Sequence, residues 1–257
     1  MKLSLPKYYN RRIARAIAEF DLIEEGDNIL VGFSGGKDSG FLLYALKAFQ
    51  QSMSINFNIS AITIDLEFNK DADFSQMKGY CKSLDIPYQI VKSNISKIIL
   101  AEETKNPCAK CAYFRKGIIS NYMQEKGFNK VAYGHHYDDI VETFLMSIIY
   151  SGQIKTFQAK SYLSNSDIYV IRPLLYLREE NIIKAEEFTG YKAVKSSCPY
   201  DGETKREEIK NLIKSFDHKN QIFYNLAAAM REGTPINLLP KELSRDKIRD
   251  KMKKLWY

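Results

Sequence analysis

Between Ser34 and Ser39 the chain reads Ser34-Gly35-Gly36-Lys37-Asp38-Ser39, residue types that in this order suit a phosphate group. Adjacent glycines allow a turn whose backbone N–H groups converge on one point, and a helix starting there adds the positive end of its dipole. Lys37 contributes a mobile positive charge, and Ser34 and Ser39 contribute hydroxyl donors. The spacing excludes a Walker P-loop, Gly-x-x-x-x-Gly-Lys-Ser/Thr, because the glycines are adjacent and the lysine is followed by an acid.

A second cluster, Gly134 to Glu142, holds two histidines and three acids in nine positions. Asp138 and Glu142 are four apart and Asp139 and Glu142 three apart, so on a helix the three carboxylates are near neighbours. Carboxylates beside a phosphate site suit Mg2+, which makes Asp138, Asp139 and Glu142 its candidate ligands. Two acids at a helix start are also favoured by the dipole alone.

The chain has four cysteines. Cys108 and Cys111 form a C-x-x-C pair expected on a loop entering a helix, and Cys198 follows 87 residues after Cys111. Cys81 falls in an amphipathic helical stretch, where a small buried residue is the ordinary reading. Thiolates favour zinc or iron–sulfur clusters. Three cysteines without an evident fourth ligand suit a [4Fe-4S] cluster with one open iron. The spacing equally suits a redox pair that carries sulfur as a persulfide, and it leaves room for zinc.

These residues need elements to hold them. Apolar runs bounded by turn residues predict strands over 28–33, 57–65, 88–91 and 130–134, with an edge strand at 169–171. Helical patterns are expected over 8–23, from Asp38 onward, and over 74–84, 95–101, 112–126, 138–150, 179–188, 203–216, 221–230 and 245–254. The alternation indicates an α/β fold: a mostly parallel, Rossmann-like sheet with helices on both faces and a helical C-terminal part. Ligands of such sheets sit at the carboxyl ends of the strands. The glycine turn follows the first strand and the His135-His136 stretch follows the fourth, so both fall on one edge. The expected organisation is an N-terminal helix in 1–27, a nucleotide-binding domain in 28–200, and a helical region with a basic tail in 201–257.

Across 257 residues, 45% are hydrophobic and 27% charged, as in an ordinary globular protein able to bury a sizeable core. A net charge of +7 and a pI near 9.0 are compatible with a polyanionic partner. No apolar run is long enough to span a bilayer, and the N-terminus lacks the apolar region of a signal peptide. A cytoplasmic location without membrane contact is therefore expected.

Ser34 to Ser39 resembles the PP-loop of the ATP pyrophosphatases. Taken with Cys108-x-x-Cys111, Arg115-x-Gly117-Ile118, Gly134-His135-His136-x-Asp138-Asp139, Ile171-Arg172-Pro173-Leu174 and Cys198 followed by Arg206, the chain resembles the TtcA family, the tRNA 2-thiocytidine synthetases. The resemblance implies an ATP- and Mg2+-dependent tRNA thiolase. ATP would be bound by Ser34, Gly35, Gly36, Lys37, Asp38, Ser39, Asp65, Gly134 and His135, with Lys37, Asp38 and Asp138 as catalytic residues. It implies a [4Fe-4S] cluster on Cys108, Cys111 and Cys198, and adenylation at C2 of an anticodon-loop cytidine, position 32, followed by displacement of AMP by sulfur held on the open iron. It further implies a sulfur donor such as a cysteine desulfurase, and a homodimer. The chain departs from the family pattern at Asp65-Leu66-Glu67-Phe68-Asn69, which lacks a Pro-Gly loop, and at Glu142-Thr143, which is closer to lysidine synthetase. The competing functions are a related sulfurtransferase acting on another tRNA base or a small molecule, a lysidine synthetase-like ligase, and a nucleotide- and cluster-binding regulator without turnover.

Overall fold

The structure is a computed structural model that describes residues 3–69, 71–101, 107–195, 197–200, 205–216, 221–231 and 243–256. Strands β1 (Asn28–Gly32), β2 (Asn58–Asp65), β3 (Tyr88–Lys92), β4 (Lys130–Ala132), β5 (Lys160–Leu163) and β6 (Ile168–Ile171) form one sheet in the order β3-β2-β1-β4-β6-β5. Every neighbouring pair is parallel except β5–β6. The helices are α1 (Lys7–Glu19), α2 (Lys37–Gln50), α3 (Ser75–Ser83), α4 (Ile95–Ala101), α5 (Pro107–Lys126), α6 (Tyr137–Ser151), α7 (Glu179–Lys184), α8 (Glu186–Thr189), α9 (Lys205–Phe216), α10 (Gln221–Ala229) and α11 (Arg245–Trp256).

Successive side chains of a strand point to opposite faces, and the core divides accordingly. Ile29 and Val31 of β1 join the larger core with Ile13 and Ile17 of α1 and Leu42, Leu43 and Leu46 of α2. Leu30, one residue out of phase, joins Ile62, Ile119 of α5 and Met123 on the other face. The strand order reverses at β1, which is flanked by β2 on one side and β4 on the other. Such a switch point opens a crevice at the carboxyl ends of the strands. The turns after β1 and β4 both lie there.

The structure corrects several expected boundaries. Helix α1 stops at Glu19, because Asp21 takes a left-handed φ of 47° and the Leu22 N–H closes back on the Ile17 carbonyl at 3.0 Å. The 169–171 strand is not an edge: β6 pairs with both β4 and β5, and the edge is β5, four residues too few to show a period. Residues 179–188 form two short helices, α7 and α8, in place of one. Helix α5 begins at Pro107, so Cys108 and Cys111 sit in a helix's first turns and not on a loop. Proline is suited to a first helical position, where its missing N–H has no partner to lose. Glu203, where the 203–216 helix was expected to begin, and Ser196, before Cys198, lie outside the described residues. Tyr8 and Tyr9 hold α1 on α7: their hydroxyls donate to the Asn181 side-chain oxygen and carbonyl at 2.7 and 2.8 Å.

Candidate functional site

The glycine turn is built from both ends. Gly35 has φ +85°, a conformation L side chains rarely adopt, and its carbonyl accepts from the Tyr191 hydroxyl at 2.7 Å and the Val194 N–H at 2.8 Å. The Ser34 hydroxyl accepts from the Gly36 N–H at 3.3 Å and lies 3.2 Å from the Ser39 hydroxyl, which donates to the Gly36 carbonyl at 3.0 Å. The turn is thus fixed before any ligand arrives, with Lys37 and Asp38 opening α2 above it.

The two turns meet directly. A Cβ at Gly134 would stand 2.8 Å from the Asp38 carbonyl carbon, so only glycine lets the chain after β4 approach the start of α2 this closely. His136 Nε2 lies 3.7 Å from Asp38 Oδ1. Among the described residues, that Asp38 oxygen, His135 Nδ1 and His136 Nδ1 are buried side-chain atoms with no hydrogen-bond partner. Buried polar atoms are normally satisfied, and their gathering here marks a functional site. Burial raises the Asp38 pKa, with Lys37 and His136 pulling against it. Burial likewise pushes His135 down to about 4, which keeps it neutral near pH 7. Asp65 stands at the same sheet edge, at the end of β2, where its carboxylate accepts from the Glu67 N–H at 2.9 Å.

The acidic cluster differs from its expected form. Asp138 accepts from Arg178 Nε at 3.0 and 3.2 Å and from the Glu179 N–H at 2.7 Å. Asp139 accepts from the His136 N–H at 2.8 Å and from Arg206 at 3.0 Å. Buried Glu142 accepts from the same guanidinium at 3.3 Å, and Arg206 also reaches Thr143. Among the described residues, no three His, Cys, Asp or Glu side chains are grouped to hold a metal ion. As placed, Asp138 is paired with Arg178, and Asp139 and Glu142 with Arg206. Burial, with Asp139 beside it, raises Glu142 to about 7 against the pull of Arg206.

Lys37 is held by two acids, Asp38 Oδ2 at 3.1 Å and Glu179 Oε1 at 3.0 Å. Burial opposes its charge, but Asp38 and Glu179 outweigh burial and raise its pKa. The second Glu179 oxygen takes Lys210 of α9 at 2.6 Å. Glu179 falls to about 2, its burial more than offset by the hydrogen bonds from Lys210 and Lys37. Arg178 lies over the Phe223 ring at 3.4 Å, tying α7 to α10. Sequence reasoning missed Glu179, Arg178 and Lys210, because an acid in the first turn of a short helix and a lysine on an amphipathic one carry no local mark.

The cysteines come from two distant stretches. Cys108 and Cys111 are three apart on α5, Cys108 exposed and Cys111 buried. Cys111 lies in a small core with Ile95 and Ile99, against which Tyr200 packs, two residues beyond Cys198. Its thiol pKa is raised by burial first, lowered by Arg115, and raised again by the nearby charges of Cys198 and Cys108. The donor chemistry of the three cysteines fits an iron–sulfur cluster or zinc, although the described thiols are not gathered at metal-binding distance. Cys81 is a core residue whose thiol burial pushes up to about 12, as its helical setting implied.

Comparison with known proteins follows the same lines. The PP-loop domain family matches residues 6–215. A tRNA-cytidine(32) 2-sulfurtransferase of Vibrio cholerae is 36% identical over 220 residues, covering 84% of this chain and 70% of that protein. One from Salmonella arizonae is 34% identical over 245 residues, 93% of this chain and 78% of its own. Among solved structures, the U34-tRNA thiolase NcsA from Methanococcus maripaludis with its [4Fe-4S] cluster shares the fold, with a TM-score of 0.71 at 24% identity over 87% of this chain and 76% of its own.

Proposed function

The chain belongs to the PP-loop family and, within it, to the tRNA-cytidine(32) 2-sulfurtransferases, and from that membership we propose that it thiolates C2 of cytidine 32 in tRNA at the expense of ATP. The observation that carries this reading is the placement of residues 191–195 and 197–200. Tyr191 and Val194 bond the PP-loop at Gly35, and Tyr200 packs against the core that holds Cys111. Cys198 follows Val194 by four residues, which span at most about 14 Å when extended. One short segment thus joins the phosphate turn to the third cysteine.

The turn's N–H groups, the Ser34 and Ser39 hydroxyls and Lys37 would hold the nucleotide phosphates. The carbonyl oxygen of a cytosine is a poor leaving group; adenylation converts it to one that departs as AMP. Lys37, poised at the helix start, would stabilise the charge developing on pyrophosphate. Neutral His135 and half-buried Asp38, which follow β4 and β1 at the same edge of the sheet, would orient the base. Cys108, Cys111 and Cys198 would hold a [4Fe-4S] cluster, which when bound supplies the sulfur chemistry that replaces oxygen. The tRNA backbone would be met by basic surface. Helix α11 alone has six basic and two acidic residues, a net +4 of the chain's +7.

The test is anaerobic purification with iron, sulfide and zinc analysis, followed by incubation with ATP, Mg2+, a reductant, a sulfide source and unmodified tRNA. The expected result is bound iron and sulfide, AMP release, and 2-thiocytidine in the digested nucleosides. Zinc without iron would overturn the cluster assignment. A thiolated uridine would keep the chemistry and overturn the target.

A further inference from the structure

We propose that Glu179 is a positioning residue for Lys37, and that Lys210 holds Glu179 to that task; the proposal rests on the ATP-dependent reading above. The three side chains come from α2, α7 and α9 and form one chain of charge: Lys37 Nζ to Glu179 Oε1 at 3.0 Å, and Glu179 Oε2 to Lys210 Nζ at 2.6 Å. The Glu179 backbone is fixed as well, its N–H donating to Asp138 at 2.7 Å. Asp138 in turn is gripped by Arg178, which is stacked on Phe223. Both carboxylate oxygens of Glu179 and its backbone N–H are thus engaged.

A lysine is a point charge on a flexible four-carbon stem. Beside a triphosphate it is useful only if it stays where charge develops, and Glu179 with Asp38 confines it there. Glu179 cannot itself bind phosphate, because an ionised carboxylate is acceptor-only. Lys210 answers the other difficulty: a lone carboxylate would repel the nucleotide, whereas one set between two ammonium groups does not. Helix α9 thereby reaches the ATP site from the C-terminal part of the chain. It does so through Lys210 on Glu179, beside Arg206 on Asp139 and Glu142.

The test compares E179Q, E179D and K210M with the wild type in tRNA-dependent AMP formation. Glutamine retains the backbone N–H to Asp138, so E179Q is expected to melt with the wild type. Its kcat is expected to fall about tenfold while KM for ATP stays within about threefold, because orientation and not binding is lost. E179D is expected to recover most of the loss, and K210M to show a smaller fall of the same kind. A second reading needs no turnover: labelling of Lys37 by an amine-reactive reagent, followed by peptide mass spectrometry, is expected to quicken in E179Q. Wild-type kcat and wild-type labelling in E179Q would overturn the proposal and leave the thiolation reading intact. A raised KM with kcat unchanged would also overturn it, making Glu179 a binding group. A wild-type protein that forms no AMP would overturn both.

Discussion

Each end of the sheet holds a lysine between two acids, and the two lysines do different work. At the amino end, Lys130 of β4 is buried and bonds Glu24 and Asp27, both at 2.7 Å. Asp27 also accepts from the Glu24 N–H and from Asn129, whose own side-chain oxygen accepts from the Asn28 N–H. Each group there has a partner, and the network closes the turn that leads into β1. At the carboxyl end, Lys37 is likewise paired with two acids, at 3.1 and 3.0 Å, yet Asp38 Oδ1 and the Nδ1 of neighbouring His136 are buried and, among the described residues, without a hydrogen-bond partner. A satisfied buried network specifies structure, whereas orphaned polar atoms around a cation mark a place where the fold retains unpaired groups for chemistry.

The comparison can be broken by removing each lysine. Lys37→Met is expected to lower AMP formation by about a hundredfold or more while the melting temperature stays close to the wild type's, since it removes transition-state charge and little packing. Lys130→Met should do the reverse. Leaving Asp27 buried without its cation is expected to cost about 3 kcal/mol in urea unfolding, with kcat per folded molecule unchanged. Equal stability losses in the two variants would erase the distinction.

Glu142 sharpens it through pH. Its folded pKa of about 7 lies above the ordinary 4.5, chiefly because it is buried. Over that window the folded chain keeps a proton that the unfolded chain has released, so this group's stabilisation is complete below about 4.5 and is lost as pH rises through 7. Glu142→Gln should therefore flatten the fall in melting temperature between pH 5 and pH 8, approximate settings chosen to bracket that window. A steeper fall would reverse the assignment. The smallest effect is expected at the structural end. Asn129→Ala removes two hydrogen bonds at a partly solvated site and should cost about 1 kcal/mol, with no change in kcat.

Much of the carboxyl-end site was legible because its parts are local. Ser34 to Ser39 follows a strand and opens a helix, and Gly134 to Asp139 repeats the arrangement after β4, so topology alone puts both on one edge. The amino-end network was not legible. Lys130 reads as a strand-start lysine, and nothing near it in the chain names Glu24 or Asp27 as partners. The arginine partners of the acidic cluster were not legible either, because Arg178 and Arg206 stand 40 and 67 residues beyond Asp138 and Asp139. The cysteine pair was placed on a loop because proline ends helices more visibly than it begins them.

The sequence by itself determined the alternation that makes a parallel sheet, the phosphate turn, the three metal-type cysteines and the family they point to. Each of these is a pattern of residue types within a few positions, or a count that no folding alters. Which charges neutralise one another was settled only by the packing: Glu179 with Lys37 and Lys210, and Arg206 with Asp139 and Glu142. Coulombic and hydrogen-bond energies act over a few ångströms of space, and it is the packing of α7 and α9 at the sheet edge that brings those distances into being.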